Sequence, residues 1–182
     1  EDKSNIFIKN LEIASHVAND IFNDSNFPNL NGDLLINCLE SFKMPPGRGE
    51  ILSLNKFKII DDSYNANPES VKAALDHLSG FQECRKFFVF GDMKELGATE
   101  EIFHKKIGQY AVKKADILLT VGKLAKNAQS NSNNFALSLH FNDNFSLLEK
   151  LNELLTDGDI VLIKGSRSMQ LDQLINELKN VK

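Results

Sequence analysis

With 182 residues, 42% of them hydrophobic and 25% charged, the chain has the composition of an ordinary globular protein: one good core, or one domain and a piece of another. With a formal net charge of −4 a nucleic-acid surface would have to be strongly local, and no basic run supports one; no apolar run approaches the roughly 18 residues a membrane span needs. No charged-then-apolar signal segment opens the sequence, and Cys38 and Cys84 stand apart without CxxC spacing, so reduced thiols in a cytoplasmic protein are expected.

Leu11, Ala14, Val17, Ala18 and Ile21 share one stripe and predict an amphipathic helix over 9–22. The polar loop DSNFPNLNGD follows, then a second short helix with Leu34, Leu35, Cys38, Leu39 and Phe42 on its apolar face. Two short helices without a sheet cannot bury a core by themselves, so they read as the trailing end of a larger unit. MPPGRGE, residues 44–50, has two prolines and two glycines that break any periodic pattern; a domain boundary is placed there, between 45 and 46.

Past the boundary the pattern is regular. Strands are expected at 50–54, 57–61, 86–90, 117–121, 136–141 and 159–164, and helices at 68–79, 100–115, 123–129, 143–155 and 168–179. Only Asn55-Lys56 separates the first two strands, which suggests a hairpin. Strands and helices then alternate, the mark of an α/β fold with a mostly parallel sheet and helices on both faces. Phe87–Phe90, Ile117–Leu119 and Ile160–Ile163 are unbroken apolar runs, as central parallel strands require. The four histidines, His16, His77, His104 and His140, form no HxxxH or HxH pair, which argues against a zinc site.

Three loops follow predicted strands: DDSYNANP (61–68), GDMKELG (91–97) and KGSRSM (164–169). In an open parallel sheet all strands end at one edge, so these loops should converge. Each residue in them has a plain reading beside a functional one. Asp61 suits a turn cap, whereas Asp62, further into the turn, suits ribose hydroxyls. Tyr64 and Asn65 face a base or sugar, or only shape the turn. Asn67 can cap the helix that Pro68 opens. Asp92 either faces a ligand or caps the following helix. Lys164 and Arg167 flank Gly165, where they suit an anion or balance helix-end carbonyls. Arg48, between Gly47 and Gly49, can swing between the domain's own surface and a neighbour's ligand. No G-x-x-x-x-G-K-S/T, no G-x-G-x-x-G and no nucleophile elbow is present.

The set GRGE (47–50), IDDSYNANP (60–68), FGDMKELG (90–97), TVGKLAKNA (120–128) and KGSRSM (164–169) resembles the C-terminal third of the Mur ligase family, in order, over 46–182. DSYNANP, GDMKELG and KGSR are worded like the branch that adds D-alanyl-D-alanine. The tripeptide-forming branch would show a DYAHTP-like turn and a DNPR segment, and neither is here; folylpolyglutamate synthase, a more distant cousin, lacks DSYNANP.

The resemblance implies a Rossmann-like domain over 46–182, preceded at 1–45 by the last two helices of a central ATPase domain. The P-loop and the carbamylated lysine that holds Mg2+ belong to parts of the family's ligases not matched here. It further implies a monomer acting with those N-terminal and central domains. ATP would activate the carboxylate of UDP-MurNAc-tripeptide as an acyl phosphate, which the amine of D-alanyl-D-alanine attacks. Arg48 would reach the ATP phosphates, Asp62 the ribose, and Tyr64, Asn65 and Asn67 the sugar and base. Asp92, Lys164, Ser166 and Arg167 would face the dipeptide. No catalytic residue and no metal ligand is implied within this chain, and isolated, it is expected to be inactive. Asp62→Ala is expected to weaken ATP binding with little loss of fold. The alternative is a non-catalytic module that binds a nucleotide or peptide.

Overall fold

The structure, a computed structural model, describes residues 45–180 except 55, together with 13, 14, 16, 17, 20 and 37. The chain divides into two compact units, Glu1–Met44 and Pro45–Lys182. The helices expected over 9–22 and around 34–42, and the thiol of Cys38, lie outside the described residues save for those isolated helical positions. The second unit carries a six-stranded sheet.

Its sheet contains β1 (Glu50–Ser53), β2 (Lys58–Asp62), β3 (Lys86–Gly91), β4 (Ile117–Val121), β5 (Leu137–Phe141) and β6 (Ile160–Lys164), in spatial order β1-β2-β6-β3-β4-β5. β1 runs antiparallel to β2, with Ser53 opposite Lys58 across the expected hairpin. All other neighbours are parallel. The apolar runs fall where two covered faces demand them: every residue of β4 and β6 is buried, and so is β3 from Phe87 on.

Side chains alternate across the sheet and divide the core in two. On one face Ile60, Phe88, Phe90, Leu118 and Leu162 meet α1 (Pro68–Ser79) and α2 (Glu100–Ala111). On the other, Ile59, Phe87, Val89, Leu119, Val161 and Ile163 meet α3 (Asn144–Leu154) and α4 (Leu171–Asn180). Burying each such side chain contributes about 1.5–3 kcal/mol before entropy. α1 begins as its sequence requires: Asn67 Oδ1 accepts from the Ser70 amide, the Asn67 amide donates to Ser70 Oγ, and Pro68 fills the first turn.

Three expected helices differ. The one over 100–115 ends at Ala111, because Lys114 and Ala115 both donate to the Ala111 carbonyl and Asp116 is drawn into pairing with Lys86 ahead of β4. The segment at 123–129 is instead a 3₁₀ stretch, Ala125–Asn134, kinked at Asn131; its polar sequence AQSNSNN supplies no continuous apolar stripe. The last helix starts at Leu171 after a 3₁₀ turn, Arg167–Met169, and a left-handed Gln170 with φ 52°. Among the described residues no helix is long and apolar enough to cross a membrane, and Cys84 is a free thiol.

Candidate functional site

The strand order places β6 between β2 and β3. The chain leaves β2 and β3 for α1 and α2 on one face but leaves β6 for α4 on the other. Loops that part to opposite faces open a crevice at the carboxyl edge, where ligands of open α/β sheets bind. The three expected loops meet there and are tied together. Lys164 Nζ donates to Asp62 Oδ2 at 2.5 Å and to the Asn65 carbonyl at 3.0 Å, joining β6 to the β2 turn. The Ser166 amide donates to the Asp92 carbonyl at 2.9 Å and Ser166 Oγ accepts from the Lys94 amide at 2.8 Å, joining β6 to the β3 loop.

The β2 turn is shaped by its own carboxylates. Buried Asp61 accepts from the Ser63 hydroxyl at 2.6 Å and the Ser63 amide at 3.2 Å, so it holds the turn. Gly47, with φ 76°, accepts from the Tyr64 amide, and the Gly49 amide donates to Asp61, so the GRG segment is laid along the turn. A Cβ at Gly47 would come within 3.0 Å of the Tyr64 nitrogen, so glycine is needed for that approach. The Arg48 guanidinium consequently sits 4.3 Å from the centre of the Tyr64 ring, a cation–π contact on a ring 45% exposed. Arg48, Asp62, Tyr64, Asn65 and Asn67 thus share one corner, but not equally. Asn67 Oδ1 is committed to capping α1, and Asn65 Oδ1 accepts from the Ala66 amide.

Lys164 does not face outward: its side chain is 2% exposed, and its ammonium is turned onto Asp62, itself 21% exposed. Burial is the larger influence on both groups. It lowers Lys164 against the attraction of Asp62, and raises Asp62 against the attraction of Lys164 and Arg48. Lys164 is therefore the support of Asp62, leaving Asp62 Oδ1 without a hydrogen bond among the described residues. Ser166 is buried, and exposed Arg167 pairs with Asp172 at 2.8 Å.

Asp92 also turns inward. Its Oδ1 accepts from the Leu124 and Ala125 amides, both at 2.8 Å, and its Oδ2 takes Lys94 Nζ at 2.9 Å. It caps the 3₁₀ stretch after β4 rather than the helix following its own loop. Asp92→Ala is expected to cost about 2 kcal/mol in urea denaturation, because two buried amides lose their acceptor. Asp92→Asn keeps that oxygen and gives up only a half-exposed ion pair, so it should cost less than about 1 kcal/mol. Equal losses would assign the role to the Lys94 pair instead.

Two further residues belong to this edge and were not singled out from sequence. Lys94, two positions beyond Asp92, stands half-exposed beside the Ser166 turn. His104, fully buried on α2, accepts the Met93 amide on Nε2 at 2.8 Å. Its i+4 spacing from Glu100 carried the only local signal, a bond from Nδ1 to the Glu100 carbonyl at 2.6 Å.

The family model described as Mur ligase, glutamate ligase domain, matches residues 47–167. The chain is 36% identical over 149 residues to the UDP-N-acetylmuramoyl-tripeptide–D-alanyl-D-alanine ligase of Bacillus subtilis (strain 168), covering 77% of this chain and 32% of that protein. It is 35% identical over 146 residues to the ligase of that name from Escherichia coli (strain K12), covering 78% and 31%. Among solved structures, the MurF ligase of Thermotoga maritima in complex with ADP superposes with a TM-score of 0.69 at 27% identity, over 80% of this chain and 33% of that one. MurF from Acinetobacter baumannii gives a TM-score of 0.74 at 25% identity, over 84% and 34%. The chain spans about a third of the length of the curated relatives it matches. A mostly parallel sheet whose β2, β3 and β6 loops close on one crevice, matched by sequence across most of that sheet, therefore has one account: this chain belongs to the Mur ligase family through its glutamate ligase domain.

Proposed function

We propose that the chain is the C-terminal part of a cytoplasmic ATP-dependent ligase that joins D-alanyl-D-alanine to UDP-MurNAc-tripeptide through an acyl phosphate, in peptidoglycan precursor synthesis. Residues 46–182 form its Rossmann-like ligase domain and residues 1–45 end its central ATPase domain. The observation that carries the reading is the corner of Arg48, Asp62 and Tyr64, supported by relatives that bear this activity in their names.

Bound ATP supplies the phosphoryl group that activates a carboxylate. The corner fits its ribose and phosphates: Asp62 Oδ1 can accept from sugar hydroxyls while Lys164 fixes Oδ2, the half-exposed Tyr64 ring offers a flat face, and Arg48 offers a cation for phosphate. Asn65 and Asn67 support this corner through the turn and the cap. Ser166 and Arg167 face the dipeptide, with Arg167 the group suited to its carboxylate. Lys164 and Asp92 serve the same two subsites indirectly, by holding the β2 turn and the β4 loop. Magnesium does not fit the described residues, among which no three His, Cys, Asp or Glu side chains are grouped to hold a metal; its ligands are assigned to the central domain. Closing that domain over this edge would exclude the water that hydrolyses an acyl phosphate.

Phosphate release with ATP, UDP-MurNAc-tripeptide and D-alanyl-D-alanine tests this. The 182 residues contain no P-loop, so the chain alone should show no turnover, while the full-length enzyme should turn over. In the full-length enzyme Arg48→Ala should lower kcat/KM for ATP about 10–100-fold with Tm unchanged, the loss expected for one charge-assisted contact. An unchanged kcat/KM removes Arg48 from the nucleotide site. ATP binding by a full-length protein that never turns over would point to the non-catalytic module instead.

A further inference from the structure

The geometry points to His104 as a positioning residue, whose unprotonated Nε2 holds the Met93 amide and so seats the loop Asp92–Leu96 against the Ser166 turn where the dipeptide binds. The dipeptide half of this inference rests on the function proposed above; the clamp itself does not.

His104 is completely buried, with its ring 5.5 Å from that of Phe90. Both nitrogens are assigned by their partners. A backbone carbonyl can only accept, so Nδ1 carries the proton and donates to Glu100; a backbone amide can only donate, so Nε2 must present its lone pair to Met93. The residues on either side of Met93 carry the rest of the loop's ties. Asp92 holds the Leu124 and Ala125 amides and accepts from the Ser166 amide, and Lys94 donates its amide to Ser166 Oγ. One imidazole acceptor therefore sits under the point from which all these bonds diverge. Protonating Nε2 would set an N–H against an N–H at a fully buried position.

The charged groups facing the ring are Asp92 and Lys94 from the loop and Glu100 from its own helix. Burial holds the imidazole below its ordinary value of 6.5, against the Glu100 carbonyl bond and the charges of Asp92 and Glu100. A depressed folded-state value means the unfolded chain takes up the proton first as pH falls. The clamp is thus fully present above pH about 6.5 and is lost as pH drops through the lower folded value.

The test uses His104→Phe, which keeps the ring's bulk against Phe90 without an acceptor, and His104→Gln, whose side-chain carbonyl can accept without titrating. In the 182-residue chain, amide hydrogen exchange at Met93 and Lys94 should quicken about tenfold or more in His104→Phe relative to Val89 in β3, and recover in His104→Gln. In the full-length ligase, His104→Phe should raise KM for D-alanyl-D-alanine about tenfold with KM for ATP unchanged. His104→Gln should restore it and remove the acid limb of the wild-type kcat/KM profile for the dipeptide. Unaltered exchange at Met93 in His104→Phe overturns the inference whatever the enzyme does. Quickened exchange with an unmoved dipeptide KM overturns its functional half. A wild-type enzyme that does not use the dipeptide at all sinks the proposed function, while the exchange measurement still decides the clamp.

Discussion

Asp62→Ala is expected to lower stability by about 3 kcal/mol, which for a unit of this size is roughly a 10 °C fall in Tm. Sequence alone made this a mild change, since a carboxylate in a turn after a strand reads as a ligand group. The buried pair with Lys164 argues for a larger loss. Lys164 lies at the end of β6, the centre of the sheet's carboxyl edge, with its side chain 2% exposed and its ammonium 2.5 Å from Asp62 Oδ2. Removing Asp62 leaves a buried cation with only the Asn65 carbonyl. Unpaired buried charges cost about 3–5 kcal/mol, and the lower end applies because Lys164 can shed its proton and Asp62 is itself partly open to water. Lys164→Met in the same background should return the protein to within about 1 kcal/mol of wild type, because an apolar side chain then fills a site with no charge to satisfy. ATP affinity should not return with it. Additive losses in the double variant would show that the two groups act separately.

That pair marks the limit of what the chain's letters disclose. The strands were legible because Phe87–Phe90 and Ile160–Ile163 are too apolar to face water on either side, and α1 because Asn67-Pro68 announces its start. Convergence of the three loops followed from parallel strands alone. Insertion of β6 between β2 and β3 did not, because periodicity does not say which neighbours a last strand joins. Yet this insertion decides the chemistry. It puts Lys164, a residue that reads as a surface cation after a strand, beside Asp62, 102 positions away in sequence. Likewise Asp92 finds its amides in Leu124 and Ala125, more than 30 residues on, where no local capping rule could look. Arg48 and Tyr64 were grouped only by the family resemblance, and their stacking depends on Gly47 docking along the turn.

Gly108→Ala sets two physical effects against each other with opposite signs. Gly108 lies inside α2, where replacing glycine by alanine should stabilise an isolated helix by about 1 kcal/mol. A Cβ there, however, would stand 2.1 Å from the Ala128 carbonyl oxygen and 2.7 Å from that residue's Cα and carbonyl carbon. These are backbone atoms, so no rotamer relieves the overlap; the 3₁₀ stretch Ala125–Asn134 must move away from α2. The packing term should win, with a net loss of about 2–3 kcal/mol in urea denaturation. Gln109→Ala, on the exposed side of the same helix, is the control and should lie within about 0.5 kcal/mol of wild type. A Gly108→Ala protein as stable as wild type would mean that α2 and the 3₁₀ stretch are not in backbone contact. The displaced stretch begins at the two amides that Asp92 holds, so Gly108→Ala with Asp92→Ala should cost less than the sum of the two. Once the stretch has been pushed off α2, its first amides are no longer fixed over the carboxylate, and removing that carboxylate has less left to lose.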